Sequence, residues 1–259
     1  MTLTDRTIEA LRANHDELAA VVASLSPEQL TARSGAEEWS VAQVFSHLGS
    51  SAEIMLHPVA GAIAGMSGAE QDNQAIWDRW NAMSPEDQAA GFVEQDERLV
   101  RTLEALSAEM RASLRVELGF LPEPALLELV VGMRLNEVAA HAWDIRVALD
   151  PEAGLHPESA ALLLEHFAGG LGFLLGFVGK HGELEQPATV ALGDHAVVID
   201  DGVKVVEAGS VEPTATFDGP LEAGVRLLSG RLKSPYTPAG AEVCGNVSLD
   251  DLRKVFPGY

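Results

Sequence analysis

RLNEVAAHAWDI, residues 134–145, decides the reading of this chain. Extended in both directions, it gives a stripe at three- and four-residue spacing: Leu126, Val130, Met133, Glu137, His141, Asp144 and Ala148. At about 100° per residue, Glu137 and His141 lie about 40° apart around a helix, with Asp144 about 20° to the other side of Glu137. Three ionisable groups thus interrupt an otherwise apolar face. A bundle core tolerates them where they bind something or satisfy one another. Glu and His at i and i+4 can share a metal, as carboxylate and imidazole do in bundle cores. They can equally form a surface pair or a hydrogen-bonded core pair. A second Glu-x-x-x-His, Glu152 to His156, falls in a Gly- and Pro-bearing stretch and is given no such role.

The stripe belongs to the fourth of four long helical segments. The first covers about 4–25, with Ile8, Leu11, Leu18, Val21, Val22 and Leu25 at helical spacing, and Ser26-Pro27-Glu28 marks a new start after it. Ser40 reads as the N-cap of a helix over about 41–65, with Val41, Val44, Phe45, Leu48 and Met55 turned inward. Ser84-Pro85-Glu86 opens a third, to about 107, and Pro122 and Pro124 a fourth, over about 124–149, stopped by Asp150-Pro151. Between the second and third, QDNQAIWDRW brings Asn73, Arg79 and Trp80, which can wall the bundle mouth or, on the plainer reading, form a solvated connector.

After the linker-like DPEAGLHP (150–157) a fifth helix is expected over about 158–179. Then the period shortens. ATVAL, AVVID, VKVVE and TATFD, from Ala188 to Asp218, read as strands, 219–229 as a helix, EVCGNVS (242–248) as another strand and LDDLRKVF as a last short helix. The fold class is therefore α plus α+β: a four-helix bundle over residues 1–150, followed by a small α+β domain over 151–259.

Composition narrows the partners. Seventeen Lys and Arg against 39 Asp and Glu give a net charge of −22. No basic cluster exists to track phosphates, which argues against nucleic acid and against an anionic membrane surface. The charge favours a monomer or small homo-oligomer. The longest apolar stretch, AGGLGFLLGFVG (168–179), is too short to span a bilayer. The N-terminus has acidic residues and no apolar core of a secretory signal, so a cytoplasmic location is expected. One cysteine, Cys244, excludes an intrachain disulfide framework and a Cys-rich zinc module. In a strand it reads as a buried apolar filler.

The second helix supplies a further donor. WSVAQVFSHL (39–48) puts His47 at the edge of the apolar face, as a satisfied core residue or as a third ligand from a facing helix. Two histidines and a glutamate with open positions form a catalytic rather than a closed structural zinc pattern. Nickel or iron(II) also accepts these donors. Asp144 can take the free ring N–H of a ligand histidine or pair with Arg134 or Arg146. Trp143 reads as a core or domain-interface residue. His15, His57, His166, His181 and His195 fit no ligand set.

WSVAQVFSHL followed some ninety residues later by RLNEVAAHAWDI resembles the DinB-like metalloenzyme bundle. Within that fold the chain resembles the mycothiol-dependent maleylpyruvate isomerase family. FDGPLEAGVRLLSGR (217–231) and the closing VCGNVSLDDLRKVFPG are similar to that family's C-terminal α/β domain. The resemblance covers nearly the whole chain. It implies a metal triad of His47, Glu137 and His141, a divalent ion, most simply zinc, and mycothiol as thiol cosubstrate. It also implies an active-site arginine in the tail, at Arg231, with Arg226 the nearby competitor; Arg231 can otherwise cap the preceding helix.

The chain offers no protein nucleophile: no Cys–His pair, no G-x-S-x-G elbow and no phosphate loop. The activity that the resemblance implies is isomerisation of a conjugated dicarboxylate, with the mycothiol thiolate adding, the bond rotating and the thiolate leaving. The alternatives are a mycothiol S-transferase that conjugates electrophiles, and a non-catalytic metal- or thiol-binding protein.

Overall fold

Local capping starts most of the helices. The computed structural model describes residues 1–66 and 71–258, and the chain divides into two compact units, Met1–Asp150 and Pro151–Tyr259. In the first, α1 (Leu3–Ser24) opens on a reciprocal cap. Thr2 Oγ1 accepts the Asp5 N–H at 3.1 Å, and Asp5 Oδ2 accepts the Thr2 N–H at 3.0 Å. Ser26 caps α2 (Pro27–Thr31), with proline at its first position. Ser40 and Gln43 repeat the reciprocal cap at α3 (Val41–Ile63).

The segment read as a wall of the bundle mouth or as a solvated connector is a helix, α4 (Asn73–Asn81), capped by the Asp72 side chain and largely exposed apart from Trp80. Trp80 is fully buried, and its Nε1–H donates to Glu53 at 2.8 Å. A Cβ added at Gly49 would meet the indole at 2.2 Å, so only glycine at that position lets the ring approach α3. The ring's burial against a glycine of another helix is a tertiary fact with no local signature.

Ser84 caps α5 (Pro85–Glu104), and Ser107 caps the short α6 (Ala108–Ser113). β1 (Arg115–Val116) and β2 (Ala125–Leu126) then pair antiparallel before α7 (Leu127–Arg146). The fourth long helix thus begins three residues later than Pro124 suggested, because Ala125 and Leu126 are spent on the ribbon. The long helices close a four-helix bundle: α1 packs on α5 and α7, and α3 packs on the same two. Ile8, Leu11, Val44, Phe45, Phe92 and Val138 are among its buried side chains.

In the second unit, the single helix expected over 158–179 is two. α8 (Pro157–Ala168) stops at Gly169, and α9 (Phe173–Val178) begins after Gly172. The His166 carbonyl turns to accept from Gly169 and Leu171, at 3.1 and 2.9 Å. Three glycines in the AGGLG run favour the break, since glycine loses the most backbone freedom in a helix.

A five-stranded mixed sheet follows, of β3 (Ala188–Leu192), β4 (His195–Ile199), β5 (Val203–Glu207), β6 (Ala215–Asp218) and β7 (Glu242–Gly245), ordered β5-β4-β3-β6-β7. The β3–β6 pair is parallel and the others antiparallel. α10 (Leu221–Leu228) and α11 (Leu249–Val255) cover one face, where Val190, Ile199 and Phe217 meet Leu227 and Leu252 across an apolar cavity. Cys244 is not the expected buried filler. It lies exposed on the edge strand β7, opposite Thr216.

The architecture is the expected one, a helical bundle followed by a small α+β unit. Among the described residues, no helix is long and apolar enough to cross a membrane.

Candidate metal centre

α7 does not bury the stripe at 126–148 evenly. Leu127, Val131, Leu135, Val138 and Ala142 are fully enclosed, whereas Leu126 is 42% exposed and Met133 only half-buried. Glu137 and His141 therefore stand at the margin between core and solvent. That margin is where a small molecule can reach them.

The packing of α3 against α7 brings His47 to the same spot. Glu137 Oε2 lies 2.9 Å from His47 Nε2 and 3.7 Å from His141 Nε2. One ligand atom from each of the three side chains falls within 4.8 Å of the others. His141 is 13% exposed, His47 31% and Glu137 42%, so the cluster is open on one side. Two imidazole nitrogens and a carboxylate, convergent and open, suit a divalent ion that keeps positions free for substrate. Among the described residues one other such group occurs, Asp218, Glu242 and Cys244, all exposed on β6 and β7.

Asp144 is almost fully buried and accepts the Nδ1–H of His141 at 2.8 Å. A carboxylate on Nδ1 leaves the Nε2 lone pair free to ligate. Of the arginines considered as its alternative partners, Arg134 is held by Asp96 at 2.7 Å, and Arg146 donates to Glu17 at 2.6 Å. For Glu137, burial acts to raise the carboxyl, but the hydrogen bond from His47 and the charges of His141, His47 and Arg134 outweigh it. Its pKa falls from 4.5 to about 2, and it is an anion at neutral pH.

Two features of the centre escape a linear reading. Trp39, the residue ahead of the Ser40 cap, has its ring centroid 5.1 Å from that of His47 and 5.8 Å from that of His141. Its signal was the tryptophan immediately ahead of Ser40. The second is a buried charge network behind these side chains. Arg134 is 1% exposed and donates to Asp96, to Ser51 Oγ at 2.7 Å and to the Leu48 carbonyl at 3.0 Å. His15, given no role from its position, sits 2.9 Å from Asp96 through Nδ1. Burial would raise the Asp96 carboxyl, yet Arg134 and His15 hold it below its usual value. Trp143 is fully enclosed.

Arg231 belongs to the second unit. It follows α10, is partly exposed, and donates from Nη1 to the Ser229 carbonyl at 3.3 Å, as a helix-capping arginine does. Arg226 is 2% exposed and fully engaged, with Nε and Nη2 on the two Glu222 oxygens at 2.7 and 3.0 Å and Nη1 on the Tyr236 carbonyl at 2.8 Å. Of the two, Arg231 is the more exposed.

Residues 11–146, just over half of the chain, match a family model described as the mycothiol maleylpyruvate isomerase N-terminal domain. Among solved structures, the crystal structure of the mycothiol-dependent maleylpyruvate isomerase matches with a TM-score of 0.63 at 15% identity, with 95% of each chain covered. A histidine-to-alanine mutant of that enzyme matches with a TM-score of 0.63 at 14% identity and the same coverage. At such identity the likeness is one of fold, and it extends over both units. Among curated proteins no relative matches.

Proposed function

We propose, from the premise that this chain belongs to the mycothiol maleylpyruvate isomerase N-terminal domain family, that it is a metal-dependent enzyme using mycothiol to isomerise a conjugated dicarboxylate of the maleylpyruvate type. The single observation that carries the reading is the convergence of His47, Glu137 and His141 at the margin of the bundle.

These three side chains are the proposed ligands of a divalent ion, zinc by preference. Such an ion would bind the mycothiol sulfur and keep it as thiolate at neutral pH. Asp144 fixes the tautomer of His141, and Glu137 enters the site already ionised. Arg231 is our assignment for a substrate carboxylate, which a guanidinium grips through two parallel hydrogen bonds. The sulfur adds to one end of the conjugated carbon–carbon double bond, and the π pair moves onto the conjugated carbonyl oxygen. The former double bond is then a single bond and rotates. Return of the pair re-forms the double bond in the trans arrangement and expels the thiolate, so no atom is gained or lost. A reduced, cytoplasmic setting suits a thiol cosubstrate.

The test is incubation of the metal-loaded protein with mycothiol and a cis-configured conjugated keto-dicarboxylate. The expected product is the trans isomer, with the free thiol unchanged in amount. A thioether that accumulates with no trans isomer would replace isomerase by transferase. Absence of turnover with that substrate and with a panel of electrophiles would overturn the enzymatic reading.

A further inference from the structure

The loop over residues 33–40 is held more tightly than a helix connection requires. Arg33 and Ser40 bridge in antiparallel fashion, and the Val41 N–H donates to the Ala32 carbonyl at 3.0 Å. Both backbone groups of Trp39 are engaged. Its N–H donates to the Ala36 carbonyl at 2.8 Å, and its carbonyl accepts from the Ser34 N–H at 3.0 Å and from Ser34 Oγ at 2.8 Å. The loop is also fastened to α7, where the Gly35 N–H donates to the Asp144 carbonyl at 2.7 Å. A Cβ at Gly35 would come within 2.7 Å of Val147 Cγ1 and 3.0 Å of the Asp144 Cα, so this contact exists because the residue is glycine.

The result of all this fastening is the place of one side chain. The Trp39 indole leans on both imidazoles of the cluster, tilted 40° to His47 and 30° to His141, and those two rings meet edge to face at 4.7 Å. An imidazole's χ2 is a broad torsion, so its plane is set by what packs on it. The same residue, Asp144, that orients His141 through its carboxylate anchors the Trp39 loop through its carbonyl.

We infer that Trp39 is a positioning residue of the metal centre. Its indole fixes the ring planes of His47 and His141 so that both Nε2 atoms face Glu137, and it keeps water from that flank. A metal-bound imidazole also carries partial positive charge, which the indole face attracts. This rests on the metal reading proposed above.

The test is a Co2+ titration of the metal-free full chain, followed by visible absorption. Trp39→Leu keeps apolar volume without a ring, and Trp39→Phe keeps a ring. Trp39→Leu is expected to bind Co2+ about 10- to 100-fold more weakly, the usual effect of losing a group that orients a ligand. Trp39→Phe is expected to stay near the natural protein, and the metal-free melting temperatures of both variants should agree. Equal affinity in Trp39→Leu, equal weakening in both variants, or a weakening matched by loss of metal-free stability would each overturn the proposal. If Trp39→Leu does not fold, Ser34→Ala, which removes one hydrogen bond to the Trp39 carbonyl, carries the same expectation, and an unchanged affinity overturns it. Failure of the natural protein to take up Co2+ would instead sink the metal reading itself, and this proposal with it.

Discussion

Asp144 Oδ2 accepts the Nδ1–H of His141 at 2.8 Å while its own side chain is 1% exposed. A buried carboxylate on the far nitrogen both selects the tautomer and raises the basicity of Nε2. Asp144→Ala should therefore weaken metal binding by about 10- to 100-fold, and Asp144→Asn, whose carbonyl oxygen still accepts the N–H, by less. Competition against a chelator of known affinity measures both. Equal affinity in all three proteins would remove Asp144 from the centre.

His47→Ala, Glu137→Ala and His141→Ala should each reduce the metal content of the purified protein from near one per chain to background. Elemental analysis after dialysis reads this directly. Near-stoichiometric metal in any one of them would exclude that residue as a ligand.

The Glu137 carboxyl titrates at about 2 in the folded, metal-free protein, below its ordinary 4.5. A depressed carboxyl stabilises the fold above its unfolded value, and that contribution is lost as pH falls through the window between 4.5 and about 2. Asp96 acts in the same direction. In Glu137→Gln, acid should cost less stability over that window than in the natural protein. Urea midpoints of the metal-free proteins at several pH values test this; parallel curves would show that the depressed carboxyl does not contribute.

Asp96→Ala should be among the most damaging single changes in the bundle. It strands Arg134, which is 1% exposed and ion-paired to Asp96 at 2.7 Å. Breaking a buried pair from one side costs about 3–5 kcal/mol. Chemical denaturation of the metal-free protein gives the value. A loss under about 1 kcal/mol, the level of a surface pair, would mean that the network is solvated in solution.

The parts of this protein legible in its sequence are those decided within one or two helical turns. Ser26, Ser40 and Ser84 announce helix starts because a cap is made by a side chain and a backbone N–H three residues on. Glu137 and His141 share a face because four residues nearly complete a turn. The change of period after residue 185 marks the sheet for the same reason. What lies beyond a few residues was settled by packing. His47 reaches Glu137 across 90 residues of chain because α3 lies on α7. His15 is a buried partner of Asp96, and Trp80 is a core residue wedged against Gly49, through contacts that no local pattern encodes. Cys244 is exposed because its strand became an edge, which the order of strands decides and the strand's own residues do not. Trp39 shows the division most plainly. Its position ahead of a cap follows from its neighbours in sequence, but its place against two histidines of different helices exists only once the loop has docked on α7. Hydrogen bonds and propensities act over a turn, whereas burial and the meeting of distant side chains depend on how whole elements pack.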